Sequence, residues 1–364
     1  MNRRIALLFA TFLCLVTLIL VYLAQDDASV PPLNRVAAWM PSSWDASRAR
    51  SSWEAKGALI HEISPVWYQL DESGTGRINP YSGAGDPTLL AQAHAQHALV
   101  IPLINNYYTE VGFDASPVSA VIHDPARRTA HVETLVNEVV SQGYDGIDID
   151  YESLNGPADR DPFSRFVEEL AAALHAQGKL LCVTVHPKTR APGPWAGPQA
   201  QDWVRIGAAA DRVRVMTYAY HGRAGDPGPI APLWWMDEVM GFATSVISPN
   251  KVYVGIHFYG HDWGGETVTS LTWESAQTLR QSHEITSQWE RKARWRRPVA
   301  EPWFTYVDSG GAPHEVWYAN GRSVRARLTL VGKHGLGGIA IWRLGGEDPG
   351  NWSAIADMLS QGGL

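Results

Sequence analysis

The sequence has little cysteine and little positive charge, and both shortages exclude classes of protein. Only two cysteines occur among 364 residues, Cys14 and Cys182, and both lie inside apolar segments. Neither a disulfide framework nor a zinc site is therefore expected. Charged residues make up 18% of the chain and the net charge is -7, which disfavours binding to nucleic acid. We expect no metal, no cofactor and no nucleic-acid partner.

Apolar and aromatic residues, in contrast, are plentiful. Hydrophobic residues make up 45% of the chain, which is enough for a substantial core, and the length suits one large domain with additions. The chain also contains 16 tryptophans. Their flat apolar faces suit packing in a core, and they equally suit stacking on sugar rings. The tryptophan content alone leaves both interpretations open.

The longest apolar run, residues 5–24, is interrupted only by two threonines. At about 1.5 Å per residue, a helix of this length crosses a hydrocarbon layer of about 30 Å. Arg3 and Arg4 precede the run and two aspartates follow it, which predicts a cytoplasmic N-terminus and a main domain outside the cytoplasm. The run exceeds the apolar core of a signal peptide, so an uncleaved transmembrane anchor is favoured over secretion after cleavage.

Three segments are expected: a membrane anchor over residues 1–25, a polar linker over residues 26–34 and a folded domain over residues 35–364. Within the folded domain, eight short apolar segments alternate with helix-length segments. This alternation predicts parallel strands with right-handed helical crossovers, and the count of eight favours an α/β fold of the (β/α)8 TIM barrel type over an open sheet. The predicted strands are Val36–Met40, Ile60–Tyr68, Leu99–Asn105, Gly146–Tyr151, Leu180–Val185, Val213–Tyr218, Val252–Tyr259 and Gly338–Trp342.

The stretch between the seventh and eighth strands is too long for one loop and one helix, which predicts a small insertion over about residues 264–335. Part of this stretch, Trp289–Pro298, interleaves basic and aromatic residues. We interpret that part as a solvated helix face with two packing tryptophans. A binding patch for an acidic polymer or a lipid surface is the alternative.

The segment Asp145–Glu152 has the most informative pattern in the chain, DGIDIDYE. Side chains alternate between the faces of a strand, so Asp148, Asp150 and Glu152 share one face. Three acids on one face inside a barrel repel one another and lose water, which raises the pKa of at least one of them. Glu152 lies at the carboxyl end of the strand, where barrel enzymes build their active sites. A calcium loop would instead need hydrophilic spacers and a glycine at its sixth position.

This segment resembles the D-x-x-D-x-D-x-E motif of glycoside hydrolase family 18, the family of chitinases and related N-acetylglucosaminidases. Met216–Tyr218 resembles the sixth-strand M-x-Y motif of the family, and Gly338–Trp342 resembles its last strand, which ends in tryptophan. The stretches Gly225–Pro232 and Val254–Trp263 are most similar to the spore-cortex-lytic and germination type of the family. The resemblance spans residues 35–364.

The resemblance implies a retaining glycosidase for β-linked polymers that contain N-acetylglucosamine, such as peptidoglycan or chitin, in which the acetamide oxygen of the substrate attacks the sugar. Glu152 would protonate the glycosidic oxygen and then deprotonate water. Asp150 would orient the acetamide, and Asp148 would share a proton with Asp150. Tyr218 would donate its hydroxyl to the acetamide carbonyl, and Trp342 would form the apolar floor below the sugar ring.

Further residues are candidates for sugar contacts or structural roles. Met216, Tyr151 and Tyr259 lie in or beside the motif strands, and we predict that they bind substrate. Asp145 faces away from the other acids and is predicted to hold backbone or a turn. Four histidines near predicted strand ends fit packing better than substrate binding; they are His186, His221, His257 and His261.

The chain departs from the family at one position. The residue after the sixth-strand tyrosine is commonly acidic in the family, and here it is Ala219. Because the motif acids and Tyr218 remain, catalysis is still predicted, on an altered substrate if Ala219 weakens sugar binding. The alternatives are a carbohydrate-binding protein without turnover and an accessory factor in envelope or exopolysaccharide assembly. Binding-only relatives usually lose the position of Glu152, so its presence favours the enzyme.

Overall fold

The folded part of the chain is built on a closed barrel of eight parallel strands. The structure is a computed structural model, and it describes residues 35–265, 267–289 and 297–361. The barrel strands, labelled β1 to β8 in chain order, are Val36–Met40, Glu62–Leu70, Leu103–Asn105, Gly146–Asp150, Leu180–Val185, Arg212–Val215, Val252–His257 and Gly338–Trp342.

Strand β1 closes the barrel, because it pairs in parallel with both β2 and β8. Ala37 is the register partner of Glu62 on one side and of Ala340 on the other. Every other pair of neighbouring barrel strands, from β2 with β3 to β7 with β8, is also parallel. The barrel predicted from the alternation of strands and helices is therefore confirmed.

Five predicted strands, the second, third, fourth, sixth and seventh, have different ends in the structure, and local features explain the third and the sixth. The third is interrupted at Pro102, which has no N–H to donate, and the preceding residues Leu99–Val100 form a separate short strand beside β2. The sixth ends at Val215, because Thr217 and Tyr218 donate their N–H groups to carbonyls two residues earlier in their own segment. Further short strands are Ile78–Pro80, which pairs with β2, and Tyr107–Tyr108, which pairs with Gly112–Phe113.

Helices cover the outside of the barrel, and local sequence features determine their ends. Before helix Pro125–Gln142, Asp124 accepts the N–H groups of Ala126 and Arg127, and Gly143 ends the helix with a φ of 76°. The other helices are Ala46–Lys56, Pro87–Ala95, Ala115–Ile122, Pro157–His175, Ala196–Ala200, Trp203–Ala209, Leu233–Val246, Trp273–Ser282, Gly321–His334 and Pro349–Gln361, with 3-10 turns at Gly57–Leu59 and Pro249–Lys251.

Apolar side chains form two layers on either side of the barrel wall. The larger layer lies between strands and helices, where Ile147 and Ile149 of β4 are buried with Phe166 of the following helix. The smaller layer is a cluster of six buried residues: Ala37, Trp39, Val66, Leu103, Tyr253 and Ala340. Because this cluster is small, buried polar side chains also occupy the barrel interior; they include Glu62, Ser64, Asp148, Thr184 and Arg214.

An antiparallel sheet with one helix is inserted between β7 and the next barrel helix. Its strands are, in spatial order, Thr267–Leu271, Gly260–Gly264, Pro313–Tyr318, Pro302–Val307 and Gln288–Trp289. The insertion therefore begins and ends earlier than the predicted range of 264–335. The reason is that Gly321–His334 belongs to the barrel wall, since this helix contacts the barrel helices Leu233–Val246 and Pro349–Gln361.

Some predictions fall on residues that the structure leaves undescribed. The predicted membrane anchor over residues 5–24 and the linker lie outside the described residues, as does most of the basic and aromatic segment Trp289–Pro298. None of the helices in the described ranges is long and apolar enough to cross a membrane.

Candidate active site

The acid row, Asp148, Asp150 and Glu152, lies on the inner face of β4 and just beyond its end. Asp148 is 0% exposed, Asp150 is 6% exposed, and the Glu152 side chain is 18% exposed. Exposure thus increases toward the carboxyl end of the strand, which is the end where barrel enzymes bind substrate. The structure brings together the three acids that the strand pattern predicted, with Glu152 the most accessible.

Asp148 is the most enclosed acid, and both of its oxygens accept hydrogen bonds. Its Oδ2 accepts from Arg214 Nη1 at 2.7 Å and from Trp39 Nε1 at 2.9 Å. Its Oδ1 accepts from Thr184 Oγ1 at 2.9 Å. A guanidinium and two further donors favour the ionised form of a carboxyl group. Asp148 therefore places a negative charge at the base of the row.

Asp150 has different surroundings, because its Oδ1 is buried and has no hydrogen-bond partner among the described residues. Burial, then the charges of Glu152 and Asp148, raise the pKa of Asp150 well above its ordinary value. An orphaned buried oxygen costs free energy and is one of the features that mark a functional site. Asp150 thus offers an oxygen that a bound ligand could engage.

Glu152 has the properties of a general acid. Burial raises the pKa of Glu152 from 4.5 to about 8, so its carboxyl group is largely protonated at neutral pH. Nε2 of His186 lies 3.6 Å from Glu152 Oε2, which is beyond hydrogen-bond distance. Burial lowers the pKa of His186 to about 4, so the imidazole is neutral and does not attract a proton away from its neighbour. A protonated, partly exposed carboxyl group can transfer its proton to a bound substrate.

Asn106, which follows β3, holds Glu152 through its backbone. The Glu152 N–H donates to the Asn106 amide oxygen at 2.8 Å, and the Asn106 amide nitrogen donates to the Glu152 carbonyl at 2.9 Å. Immediately after Glu152, Ser153 turns the chain with a φ of 58°. Sequence reasoning missed Asn106, although two adjacent asparagines, Asn105 and Asn106, at the end of a predicted strand were a usable signal.

Tyr218 follows β6 and interacts electrostatically with the acid row. Its ring packs edge to face on Tyr259, with the ring centroids 6.4 Å apart. Burial, then the neighbouring Tyr259 and the three acids, raise the pKa of Tyr218 well above its ordinary value. The hydroxyl therefore stays protonated and can donate a hydrogen bond. Met216, two residues earlier, is partly buried and donates its N–H to the carbonyl of Val185.

Ala219 is exposed and has a φ of 57°. This left-handed conformation is uncommon for alanine and is adopted more readily by asparagine and aspartate. The backbone at this position is therefore compatible with the acidic residue that the family commonly has there.

Trp342 ends β8 and lies at the inner apolar cluster. Its ring packs edge to face on Trp39, with the centroids 5.7 Å apart, and Trp39 in turn donates to Asp148. Trp342 is partly exposed. A partly exposed aromatic face next to carboxyl groups is suited to the apolar face of a sugar ring.

Tyr151 lies away from the acid row, which corrects its prediction as a substrate-binding residue. It is buried on the outer side of the barrel, where its ring stacks with Phe166 and its hydroxyl is 2.7 Å from His131 Nε2. The physical reason is the alternation of side chains, which places residue 151 on the face opposite to residues 150 and 152. Asp145 accepts the Val100 N–H at 2.8 Å, in agreement with its predicted role in holding backbone.

The remaining histidines make contacts of the kind expected from packing. His257 is fully buried, with its Nε2 3.3 Å from Glu301 Oε1, and His261 is buried with its ring edge to face on Trp263. His221 has its Nδ1 2.9 Å from the Asp226 carbonyl. Over the described ranges, no group of three or more His, Cys, Asp or Glu side chains could hold a metal ion.

The chain matches the family model for glycosyl hydrolases family 18 over residues 109–347, which is more than half of its length. The chain belongs to this family. The matched range contains the acid row, Tyr218 and Trp342. Membership places the chain in a family of glycoside hydrolases and confirms the family resemblance of the motifs.

One relative is the Bacillus subtilis protein YdhD, named as a sporulation-specific glycosylase. It is 31% identical to this chain over 251 residues, which are 67% of this chain and 57% of YdhD. A cortical fragment-lytic enzyme of Bacillus anthracis is 27% identical over 299 residues, which are 80% of this chain and 67% of that enzyme. A chitinase crystal structure from Chromobacterium violaceum superposes with a TM-score of 0.82 at 25% identity, covering 90% of this chain and 99% of the chitinase.

Proposed function

We propose that this family 18 member is a retaining glycosidase that hydrolyses β-linked polysaccharides containing N-acetylglucosamine, of the peptidoglycan or chitin type. The observation that carries the proposal is the acid row, in which a protonated Glu152 at the mouth follows a buried Asp150 with an unpartnered oxygen. Glu152 would transfer its proton to the leaving group, and Asp150 would orient an amide group of the substrate.

In the first step, the Glu152 carboxyl proton passes to the glycosidic oxygen, and the bond between this oxygen and the anomeric carbon breaks with its electron pair. The acetamide oxygen of the same sugar forms a bond to the anomeric carbon, which yields a cyclic oxazolinium ion. Asp150 accepts the acetamide N–H and balances the positive charge. Tyr218, whose hydroxyl is protonated, donates to the acetamide oxygen before it attacks.

In the second step, water attacks the anomeric carbon while Glu152, now a carboxylate, removes a proton from this water. The bond between the anomeric carbon and the acetamide oxygen breaks, and Glu152 is again protonated. Two successive inversions at one carbon give net retention of the β configuration.

Exposed aromatic residues at the mouth of the barrel support a carbohydrate substrate. Four of the exposed large hydrophobic residues in the described ranges are aromatic, and each follows the carboxyl end of a barrel strand: Trp44, Tyr107, Trp195 and Tyr220. Trp195 also packs on His186, with the ring centroids 4.5 Å apart, and His186 lies beside Glu152. Flat aromatic faces near an acid suit neighbouring sugar units of a polymer.

The proposal is tested by incubating the full-length chain with chitin oligosaccharides and with purified peptidoglycan, in parallel with Glu152→Gln. We expect the unaltered chain to release reducing ends and the variant to lose this activity. The first-formed product should have the β configuration by proton NMR, and N-deacetylated oligomers should remain uncut. Efficient cleavage of deacetylated oligomers would exclude participation of the acetamide.

The same experiment separates the proposal from its alternatives. If neither polymer is cut and oligosaccharides still bind, the protein is a carbohydrate-binding protein. If it neither cuts nor binds these sugars, an accessory role in envelope or exopolysaccharide assembly takes its place.

We further propose that the barrel lies outside the cytoplasm, held at the cell membrane through residues 5–24. The support is the apolar run itself and the arginines before it. In intact cells freed of any outer envelope layer, an added protease should digest the barrel, and the chain should fractionate with membranes. Digestion only after lysis would contradict the proposal, and recovery of a shortened chain in the medium would indicate cleavage.

A further inference from the structure

Arg214 on β6 is a fully buried cation inside the barrel, directly beneath the acid row. Its Nη1 donates to Asp148 Oδ2 at 2.7 Å and to Ser64 Oγ at 2.5 Å, and its Nη2 donates to Glu62 Oε2 at 3.0 Å. The guanidinium also lies 5.7 Å from the centroid of the Trp39 ring. Arg214 therefore bridges two buried carboxylates that come from different strands.

Stability alone does not account for this arrangement. Transfer of charged groups from water to a barrel interior costs several kcal/mol per ion, and well-packed apolar side chains of similar volume are often as stable as a buried ion pair or more so. Glu62 has further partners, because Arg212 Nε donates to its Oε1 at 3.0 Å and the Tyr253 hydroxyl donates to it at 2.9 Å. Asp148, in contrast, has one cationic partner within the part of the chain that the structure describes, Arg214.

The hydrogen bonds also determine where protons can reside in the row. Both oxygens of Asp148 already accept bonds from Arg214, Trp39 and Thr184, and all three groups act as donors. A proton on Asp148 would make it a weaker acceptor for these three donors, and it would leave the guanidinium with Glu62 as its remaining carboxylate partner. Asp150 has an unpartnered oxygen, so a proton there displaces nothing.

We propose that Arg214 is a positioning residue for the reaction, which holds the Asp148 carboxylate in place and keeps it ionised, so that Asp150 and Glu152 alone carry the exchangeable protons of the row. This inference rests on the proposed function and replaces the sequence-based expectation that Asp148 shares a proton with Asp150. The row then has a constant charge at its base, and substrate binding needs no proton transfer from Asp148.

Other ionisable groups face the acid row from the surrounding strands. A change in the charge of any of them would also alter the measured pH profile. They are Glu62 on β2, Cys182 and His186 on and after β5, Arg212 and Tyr218 on and after β6, and Tyr253 and Tyr259 on and after β7. Burial raises the pKa values of Cys182 and the three tyrosines, and it lowers that of His186 to about 4. Cys182, His186 and the three tyrosines therefore keep their charge between pH 5 and 7, where the profile of the row is measured.

The test uses a charge-pair cycle in the full-length chain, with kcat/KM measured against pH. Arg214→Met removes a cation near the carboxyl groups. The acidic limb of the kcat/KM profile should therefore move to higher pH, by about one to two units. Asp148→Asn removes one of the two carboxylates that neutralise Arg214, so the limb should move down. The double variant removes both charges and should return the limb to within about half a unit of its original position, as should the single variant Arg214→Lys. Superimposable profiles in all variants would overturn the proposal and leave Arg214 with a purely structural role.

A second measurement does not depend on activity. In the full-length chain labelled with carboxyl-13C aspartate, the Asp148 signal is assigned by its loss in Asp148→Asn. We expect the chemical shift of an ionised carboxylate throughout the pH range of the kinetic profiles. The chemical shift of a protonated carboxyl group for Asp148 in that range would overturn the proposal. The NMR result tests the role of Arg214 even if the unaltered chain cuts no polymer, in which case the proposed function fails separately. It also tests this role if Arg214→Met does not fold.

Discussion

The two faces of β4 are equally buried and chemically opposite. Ile147 and Ile149 on the outer face are 1% and 0% exposed, while Asp148 and Asp150 on the inner face are 0% and 6% exposed. The outer face meets the helices, where each buried isoleucine side chain contributes about 1.5–3 kcal/mol to stability. The inner face meets charged and polar groups, and burial there opposes ionisation. Burial by itself therefore does not distinguish core from active site; the contacting groups do.

The largest effect should come from the end of the inner face. We expect Glu152→Gln to reduce kcat/KM by about 10²–10⁴-fold, because the amide can neither give nor take the proton in the reaction. The melting temperature should stay close to that of the unaltered chain, since the amide keeps the size of the side chain. A variant that retains more than about a tenth of the activity would contradict the assignment of Glu152 as the acid.

A substitution on the outer face should affect stability instead. Ile149→Ala removes a fully buried side chain from the layer between strand and helices, and we expect a loss of about 2–5 kcal/mol in the free energy of unfolding. Ile149→Val is the matched control, with an expected loss of about 0.5–1.5 kcal/mol. Measured on the folded fraction, kcat/KM should stay unchanged in both variants. A large loss of kcat/KM with unchanged stability would show that the two faces are not separable.

The pH dependence should report the inner face directly. Since Glu152 must be protonated to act as an acid and burial raises its pKa to about 8, kcat/KM should fall about tenfold per pH unit above that value. The native state binds the Glu152 proton more tightly than the unfolded chain does. The contribution of this proton to stability is therefore complete below about pH 4.5 and is lost as the pH rises through about 8. Denaturant unfolding should therefore show that Glu152→Gln, which has no such proton, loses less stability between pH 5 and 9. An alkaline limb near pH 5 would contradict the buried position of Glu152.

The smallest effect should come from the outer neighbour of Glu152. Tyr151→Phe removes the hydroxyl that contacts His131, and we expect a loss of about 1 kcal/mol in the free energy of unfolding. Because this side chain faces the helices, kcat/KM should change by less than about twofold. A rise in KM well above this limit would restore Tyr151 as a substrate-binding residue.

Local patterns were sufficient to predict the barrel strands and the acid row, because alternation with a period of two is a property of the backbone itself. The same rule, applied strictly, would have excluded Tyr151 from the substrate site. The partners of the acids were less accessible to prediction. Arg214 and Trp39 are separated from Asp148 by 66 and 109 residues along the chain, and Asn106 from Glu152 by 46. A single sequence contains no rule that pairs residues over such separations.

The sequence by itself determined that Asp148, Asp150 and Glu152 share one face of a strand that ends in an active-site position, because covalent geometry sets the direction of successive side chains. Only the tertiary structure decided the state of each acid. Asp148 lies against a guanidinium, Asp150 has an oxygen without a partner, and Glu152 is largely removed from water. The charge and the proton affinity of a carboxyl group depend on its desolvation and on neighbouring groups. Both arise only when folding brings distant parts of the chain together.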